Sequence, residues 1–438
     1  MMRRFVAAAV ALGAVALGVI VGVGVAPSSA PDSTVQTVTV TPARQDVSCP
    51  GPLVTPGGGA GDDDELSGAP SGVTSATYTV GDSRRIGEGV ASDGVVAAAV
   101  ERVSAGDVAG LSALTCTAPL TDQWLVGANT TVGDSARLVL TNPSPAAVEA
   151  TVTLFGTLGQ LESERVVPIG PQDQAELLLE GVEVNVAALV VRVTSTGNGV
   201  TAAIQHSRLD GFQPAGTDWV VAGAGARDSL VVPGVGTGEA DGAVVRLMAP
   251  EGATAHLALA APEGAAEWDG VAALELEPGV AIEVPIPAIA DGAVTITADA
   301  PVVAGVVVTR VRQSTIGVEG ATAEELRWIP AQAPEESSAR AILSVGFSQR
   351  ISVYSATGGT FTLTDGAGAT LATAHVDAGA TASIPVTAAP GAMLSAEGAF
   401  AWTVLVADNA FITAMAPART TIDDVEVAVR QQPYVPEP

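Results

Sequence analysis

From residue 73 onward, apolar and polar positions alternate with a period of two, which predicts β-strands rather than helices. The segments 136–141 and 148–154 alternate in this way and end in turn-forming residues, as half-buried strands do. The run 302–308 is continuously apolar, which is typical of a strand covered on both faces. Only the segment 93–109 has valines and alanines at helical spacing, so we predict a helix there.

The predicted strands recur in three similar groups. Trp124, Trp219 and Trp328 lie 95 and then 109 residues apart, and each precedes strands, a glycine-containing hairpin, an Ile/Val-Pro segment and a closing strand pair. About seven strands per 100 residues is typical of an antiparallel β-sandwich. We therefore expect an all-β fold of tandem antiparallel, immunoglobulin-like β-sandwich repeats. The three tryptophans are expected to pack in the repeat cores rather than to bind a ligand.

The N-terminus carries a candidate membrane anchor. Arg3 and Arg4 precede an uncharged apolar run from Phe5 to Ala26, which at about 1.5 Å per residue is long enough to cross a bilayer as a helix. The paired arginines place the N-terminus in the cytoplasm and the rest of the chain outside. We expect an uncleaved signal anchor and a single-pass cell-membrane protein; cleavage after Ala30 would instead give a secreted one.

Composition shifts along the chain suggest six segments. They are the anchor at 1–26, a Pro/Gly/Ser/Asp-rich stalk with one strand at 27–72, a β-rich segment pinned by a disulfide at 73–118, and three sandwich repeats at 119–217, 218–326 and 327–438, the last including a C-terminal tail.

The chain contains two cysteines, Cys49 and Cys116. In an exported protein such a pair is expected to form a disulfide. The alternatives are a catalytic thiol or a metal site, but neither cysteine has a neighbouring histidine, and two thiols do not complete a tetrahedral zinc site. We expect a structural disulfide.

Charge excludes several classes of function. The 438-residue chain has 19 basic and 47 acidic residues and a net charge of -28, so it repels nucleic acid and anionic lipid head groups. All the basic residues are arginine, which excludes any chemistry that needs a lysine.

No motif in the sequence indicates catalysis, a cofactor or a metal. His206, His256 and His375 each lie singly on a strand-like segment, and neither a G-x-S-x-G nor an HExxH motif occurs. A Ser/His/Asp triad assembled by the fold remains open, because sequence does not reveal spatial neighbours. We expect no enzyme, no catalytic residues, no cofactor and no metal ligands.

Four segments together resemble a known family. The anchor, the segments 115–119 and 124–127, and the strand with its turn at 136–143 are similar to the actinobacterial domain-of-unknown-function family 5719. The resemblance implies an exported or membrane-tethered, β-rich envelope protein with no assigned activity. It also implies an association with membrane glycosyltransferases that build envelope polysaccharide.

Two hypotheses about function follow. The first is a non-catalytic, tethered scaffold or interaction module that binds another envelope protein. The alternative is an accessory protein that binds a cell-wall glycan beside a polysaccharide-synthesising glycosyltransferase. Trp268 is the one tryptophan in a polar, loop-like context, so it is the candidate glycan contact, although a packed loop anchor would look the same in the sequence.

Overall fold

The computed structural model describes residues 35–40, 46–55, 70–238, 241–314, 320–334, 339–420 and 425–430. These residues form antiparallel β-sheets, and the 3₁₀ turn Leu179–Gly181 is the single helical element among them. The predicted all-β character is therefore confirmed. The candidate anchor at 5–26 lies outside the described residues. Within the described ranges, no helix has the length and apolar character needed to span a bilayer.

Six of the first seven strands, β2 to β7, form two small sheets. The strands are β1 (Val35–Val40), β2 (Val47–Cys49), β3 (Ser71–Thr79), β4 (Ser83–Ile86), β5 (Gly89–Ser92), β6 (Ala97–Ala105) and β7 (Gly110–Thr115). The sheet orders are β2-β5-β4 and β3-β6-β7.

The helix predicted over 93–109 is wrong, because most of that segment forms β6. Ala98 and Val100 on one face of β6 join one hydrophobic cluster, whereas Ala97 and Val103 on the other face join a second. A strand that is apolar on both faces loses its period-two pattern. Its alanines and valines then coincide with helical spacing.

The first strand group comprises β8 to β16. Its elements are β8 (Asp122–Val126), β9 (Asp134–Asn142), β10 (Val148–Gly156), β11 (Gly159–Gln160), β12 (Arg165–Ile169), β13 (Asp173–Leu178), the 3₁₀ turn, β14 (Val190–Ser195), β15 (Thr201–Asp210) and β16 (Gln213–Val221). One sheet has the order β11-β10-β14-β8, with β12 also on β10, and the other has the order β13-β9-β15-β16. Leu125 and Val152 of the first sheet share a buried cluster with Leu138 and Ile204 of the second.

The second strand group comprises β17 to β24. Its strands are β17 (Arg227–Pro233), β18 (Gly242–Met248), β19 (Ala253–Ala261), β20 (Gly264–Ala266), β21 (Leu274–Leu276), β22 (Ile282–Pro285), β23 (Ala293–Gln313) and β24 (Thr322–Pro330). The long strand β23 belongs to two layers: its first half pairs with β17 and β19, and its second half pairs with β18 and β24.

The third strand group comprises β25 to β33, after which β34 follows. The strands are β25 (Arg340–Leu343), β26 (Ser348–Ser355), β27 (Gly359–Asp365), β28 (Thr370–Val376), β29 (Ala380–Val386), β30 (Met393–Ala396), β31 (Ala401–Asp408), β32 (Phe411–Met415), β33 (Ala418–Arg419) and β34 (Val425–Arg430). The two sheets of this group are β28-β27-β30-β25-β33 and β29-β26-β31-β32. Strands β1 and β34 pair with each other and belong to a compact unit separate from Arg44–Thr421.

The three groups repeat one strand order. The sheets β13-β9-β15-β16, β22-β18-β23-β24 and β29-β26-β31-β32 correspond strand for strand. The boundaries expected at 217/218 and 326/327 fall inside β16 and β24, which are hydrogen-bonded to the preceding group. Strand β16 belongs to the preceding group because a two-residue turn joins it to β15 as a hairpin.

Four edge strands of the unit Arg44–Thr421 contact one another. Each of β7, β16, β24 and β32 ends its own sheet. Strand β7 contacts β16, β16 contacts β24, β24 contacts β32, and β32 contacts β7, so the contacts form a closed cycle. We call this contact region the central junction. It covers four sheet edges that would otherwise present unpaired backbone groups to solvent.

Candidate functional site

The three histidines have separate surroundings. His206 is 2% exposed; its Nε2 lies 2.9 Å from Asp134 Oδ1, and its Nδ1 accepts a hydrogen bond from Trp328 Nε1 at 3.1 Å. Burial opposes ionisation of Asp134, but the hydrogen bond with His206 keeps the pKa of that carboxyl below its usual value. His256 and His375 are exposed on the second and third strand groups. Within the described part of the chain, no three metal-ligating side chains form a cluster.

Asp218 connects the strands of the central junction. Its side chain is fully buried on β16; Oδ2 accepts the backbone N–H of Trp328 on β24 at 2.8 Å, and Oδ1 lies 2.8 Å from the hydroxyl of Thr413 on β32. That hydroxyl in turn accepts the backbone N–H of Ala113 on β7 at 3.0 Å. Burial raises the pKa of Asp218 to about 8 in spite of these hydrogen bonds.

A second buried acid, Glu325, lies in the same junction. It is 0% exposed, and its Oε2 is 3.3 Å from Nε of Arg312. Burial raises the pKa of Glu325; the Arg312 charge lowers it, and the Asp218 charge raises it further. The guanidinium groups of Arg312 and Arg102 lie 4.8 Å and 3.4 Å from the ring centroid of Phe411. Because both acids are sealed from solvent, we assign this pair to closing the junction rather than to contacting a substrate.

The predicted disulfide is confirmed. Cys49 at the end of β2 is bonded to Cys116 directly after β7, with their Cα atoms 4.7 Å apart. The bond fastens the segment that follows Cys49 to the sheet β3-β6-β7, and both cysteines lie in one buried cluster with Trp219.

The three tryptophans are each at most 6% exposed, and each packs between strand groups. Trp124 clusters with Phe155 of its own group and Met248 of the second group. Trp219 packs against the disulfide cluster of the N-terminal sheets. Trp328 lies on a strand of the second group but is part of the first group's core. The tryptophans therefore join neighbouring groups instead of each filling a separate repeat core.

Trp268, the candidate glycan contact, is half-buried. Its Nε1 donates a hydrogen bond to the carbonyl of Pro285 at 3.1 Å, and its ring packs against the core of the second group. This geometry holds the loop in place and leaves only part of the indole accessible.

Four apolar side chains protrude at one end of the first strand group. They are Val132, Leu158, Val184 and Phe212, which are 100%, 93%, 71% and 91% exposed. They lie in the loops after β8, β10, β13 and β15, all of which leave the same end of the two sheets. Every other exposed large apolar residue in the described ranges is at most 54% exposed. We call these four residues the apolar tips.

Hydrogen bonds hold the loops of the apolar tips together. The Thr130 hydroxyl donates to the carbonyl of Glu183 at 2.8 Å, and the carbonyl of Thr130 accepts the N–H of Asn185 at 2.8 Å. The carbonyl of Gly133 accepts the N–H of Leu209 at 2.7 Å. The loops that carry Val132, Val184 and Phe212 are thus fixed to one another.

Comparison with known proteins places the chain in a family. Residues 73–422 match the profile of a family of unknown function, DUF5719. The chain belongs to this family. No curated protein matches this DUF5719 chain. One solved structure, a biofilm associated protein, BSP domain, is similar at 10% identity over 85% of this chain and 68% of that chain, with a TM-score of 0.15. At that score the likeness assigns neither a fold nor a function.

In this DUF5719 protein the apolar tips were not singled out from the sequence, although one signal was present. Phe212 follows Gly211 in a two-residue hairpin turn, where polar residues are usual. Gly211 has φ 60°, so it supplies the positive φ that the turn requires. The aromatic side chain at the second position is free to project into solvent.

Proposed function

We propose that this chain is a non-catalytic interaction module of the cell envelope, extracytoplasmic and tethered by residues 5–26, whose apolar tips bind a partner protein. One observation carries the proposal: the four most exposed large apolar side chains of the described residues share one end of one strand group. Singly scattered apolar residues are normal on a surface, whereas a concentration of them marks an interaction site.

The architecture supports this assignment. We propose that each strand group is an immunoglobulin-like β-sandwich, a fold in which loops cluster at the two ends of the sheets and commonly form binding sites. The disulfide is consistent with an oxidising compartment outside the cytoplasm. The central junction supplies a fixed base for the loops, which reduces the ordering cost of binding.

Charge around the tips indicates the chemistry of the partner. Glu162, Glu164 and Asp210 lie in or beside the same loops and are exposed. Arg208, at the end of β15, is engaged by Glu324 at 3.0 Å. We infer a protein partner that presents an apolar centre surrounded by basic side chains, because an acidic rim repels acidic surfaces and anionic lipids.

Site-specific photo-crosslinking tests the proposal. A photoreactive residue would be placed at position 132, 184 or 212 of the full chain in its own cells, and at the exposed His375 as a control. We expect the same crosslinked protein from all three tip positions and none from position 375. After that protein is purified, Phe212→Ser should weaken its binding at least tenfold, and the matched variant Leu371→Ser should not.

Three results would contradict the proposal. Crosslinks of equal yield from position 375 would show that the tips are not a preferred surface. Self-association of the purified chain that Phe212→Ser abolishes would make the occupant a second copy. Co-flotation with uncharged lipid vesicles that Phe212→Ser abolishes would make it a membrane.

A further inference from the structure

A cavity of about 230 Å³ lies beside the disulfide, between the segment that follows Cys49 and the sheet β3-β6-β7. Its lining includes Gly51, Ser75, Thr77, Glu101 and Trp219. The apolar tips and the buried acids Asp218 and Glu325 are not among its lining residues. The cavity is therefore a different site from both.

The sheet places three polar side chains in one row of the cavity. Glu101 on β6 has Ser75 of β3 as its cross-strand partner on one side and Ser112 of β7 on the other. Side chains at directly opposed positions point to the same face of a sheet. Glu101 is 8% exposed, and its Oε2 accepts the N–H of Leu53 at 3.2 Å. A carboxylate has acceptor sites beyond this single bond.

The opposite wall is fixed by side chains of another sheet. Three of them donate hydrogen bonds to carbonyl groups of the wall: Gln174 to Pro50 at 2.8 Å, Arg137 to Pro52 at 3.0 Å and Gln205 to Val54 at 2.7 Å. Together with the disulfide these bonds hold the cavity open in a set shape. A site that is already formed avoids the ordering cost of binding.

The lining selects one class of ligand. Among the described residues that line the cavity, Glu88 and Glu101 are carboxylates, Ser75 and Thr77 are exposed hydroxyls, and none is cationic. Carboxylates accept hydrogen bonds from hydroxyl groups and repel anions. The Trp219 ring adds an apolar aromatic wall, which suits the mixed surface of a sugar. The volume is below the roughly 300–1,000 Å³ of pockets for drug-sized ligands.

We propose that this cavity binds one ring of a neutral sugar. Glu101 and Ser75 accept hydrogen bonds from the sugar hydroxyl groups, and Trp219 packs against the apolar surface of the ring. Burial raises the pKa of Glu101, whereas the hydrogen bond from the Leu53 N–H and the charge of Arg137 act in the opposite direction. The inference goes beyond the proposed function and does not depend on the apolar tips.

Saturation-transfer NMR on the full chain tests this inference. The probes are glucose, galactose, mannose, arabinose and N-acetylglucosamine, each as the free sugar and within an oligosaccharide, so that a soluble sugar and a glycan are distinguished. We expect transfer to at least one of them. Ser75→Tyr fills the cavity from an exposed edge position and should abolish the transfer, and Glu101→Gln should weaken binding about tenfold.

Phe212→Ser is the matched control and should leave sugar binding unchanged. Transfer to none of the five sugars overturns the proposal, as does transfer that persists in Ser75→Tyr. Loss of partner binding in Phe212→Ser with sugar binding intact separates this site from the proposed function.

Discussion

We predict that the buried carboxyl of Asp218 in the central junction makes the stability of the chain depend on pH. In Asp218→Asn an amide replaces a carboxyl of nearly the same shape. The amide oxygen can still accept the N–H of Trp328, and the amide nitrogen can donate to the hydroxyl of Thr413, as a protonated carboxyl would. The variant should therefore fold, and it removes one titrating group from a fully buried position.

The size of the effect follows from proton linkage. The pKa of Asp218 is raised to about 8 in the folded chain, from about 3.9 in an unfolded chain. Between these values the folded state holds a proton that the unfolded state has lost. The stabilisation is therefore complete below about pH 4 and falls as pH rises towards 8, by about 1.4 kcal/mol per pH unit. From pH 5 to pH 7, wild type should lose about 3 kcal/mol relative to Asp218→Asn.

Urea unfolding at pH 5, 6 and 7, followed by tryptophan fluorescence, measures this difference. Asp122→Asn is the control, because it removes one carboxylate from a surface ion pair with Arg192 and leaves the junction intact. The stability of wild type relative to Asp218→Asn should fall as pH rises. The stability of wild type relative to Asp122→Asn should change little. A difference for Asp218→Asn that is constant to about 0.5 kcal/mol over this range, less than half of one pH unit's effect, would refute the reasoning.

Two further predictions concern the covalent and steric framework. Replacing Cys49 and Cys116 by alanine should lower the free energy of unfolding by about 4 kcal/mol, since the bond closes a loop of 67 residues, and calorimetry of variant against wild type checks this. Gly216→Ala should destabilise the chain more than Gly264→Ala by about 2 kcal/mol in chemical unfolding. Both glycines have a positive φ, but only at Gly216 would a Cβ lie 2.6 Å from the backbone nitrogen of Leu326; equal losses would contradict this account.

Much of the local structure could be predicted from sequence, because the alternation of apolar and polar residues along a strand shows which of its two faces is buried. The alternation at 136–141 falls within strand β9, and an even pair of cysteines in a chain expected to be exported predicted the bond that forms. The same logic failed at β6, where both faces are covered and alanine fits either kind of element. The sequence pattern also did not show that the tryptophans occupy different positions in their groups. Trp124 lies on the first strand of its group, whereas Trp219 and Trp328 lie on the last strands of theirs.

The central junction could not be predicted, because it depends on which sheet edges meet. Asp218 and Glu325 are more than 100 positions apart in the sequence, and nothing in their local pattern pairs them. A charged residue within an apolar strand, as in the segment Asp218-Trp219-Val220, was nevertheless a detectable anomaly. Such a residue needs a buried partner or a shifted pKa, and here the structure supplies both.

The chain fully buries two carboxyl groups and exposes four large apolar side chains, and these two departures from the usual rule have different explanations. Burying Asp218 and Glu325 costs desolvation free energy, but Asp218 satisfies the backbone N–H of Trp328 on β24 and positions the Thr413 hydroxyl that satisfies the backbone N–H of Ala113 on β7. Nothing within the described chain offsets the exposure of Phe212, Val132 and Val184. Burying each of these side chains against a partner would yield about 1.5–3 kcal/mol. The folded chain already fixes their loops, so most of this burial free energy would contribute to binding. The apolar tips are therefore better explained by a partner than by folding.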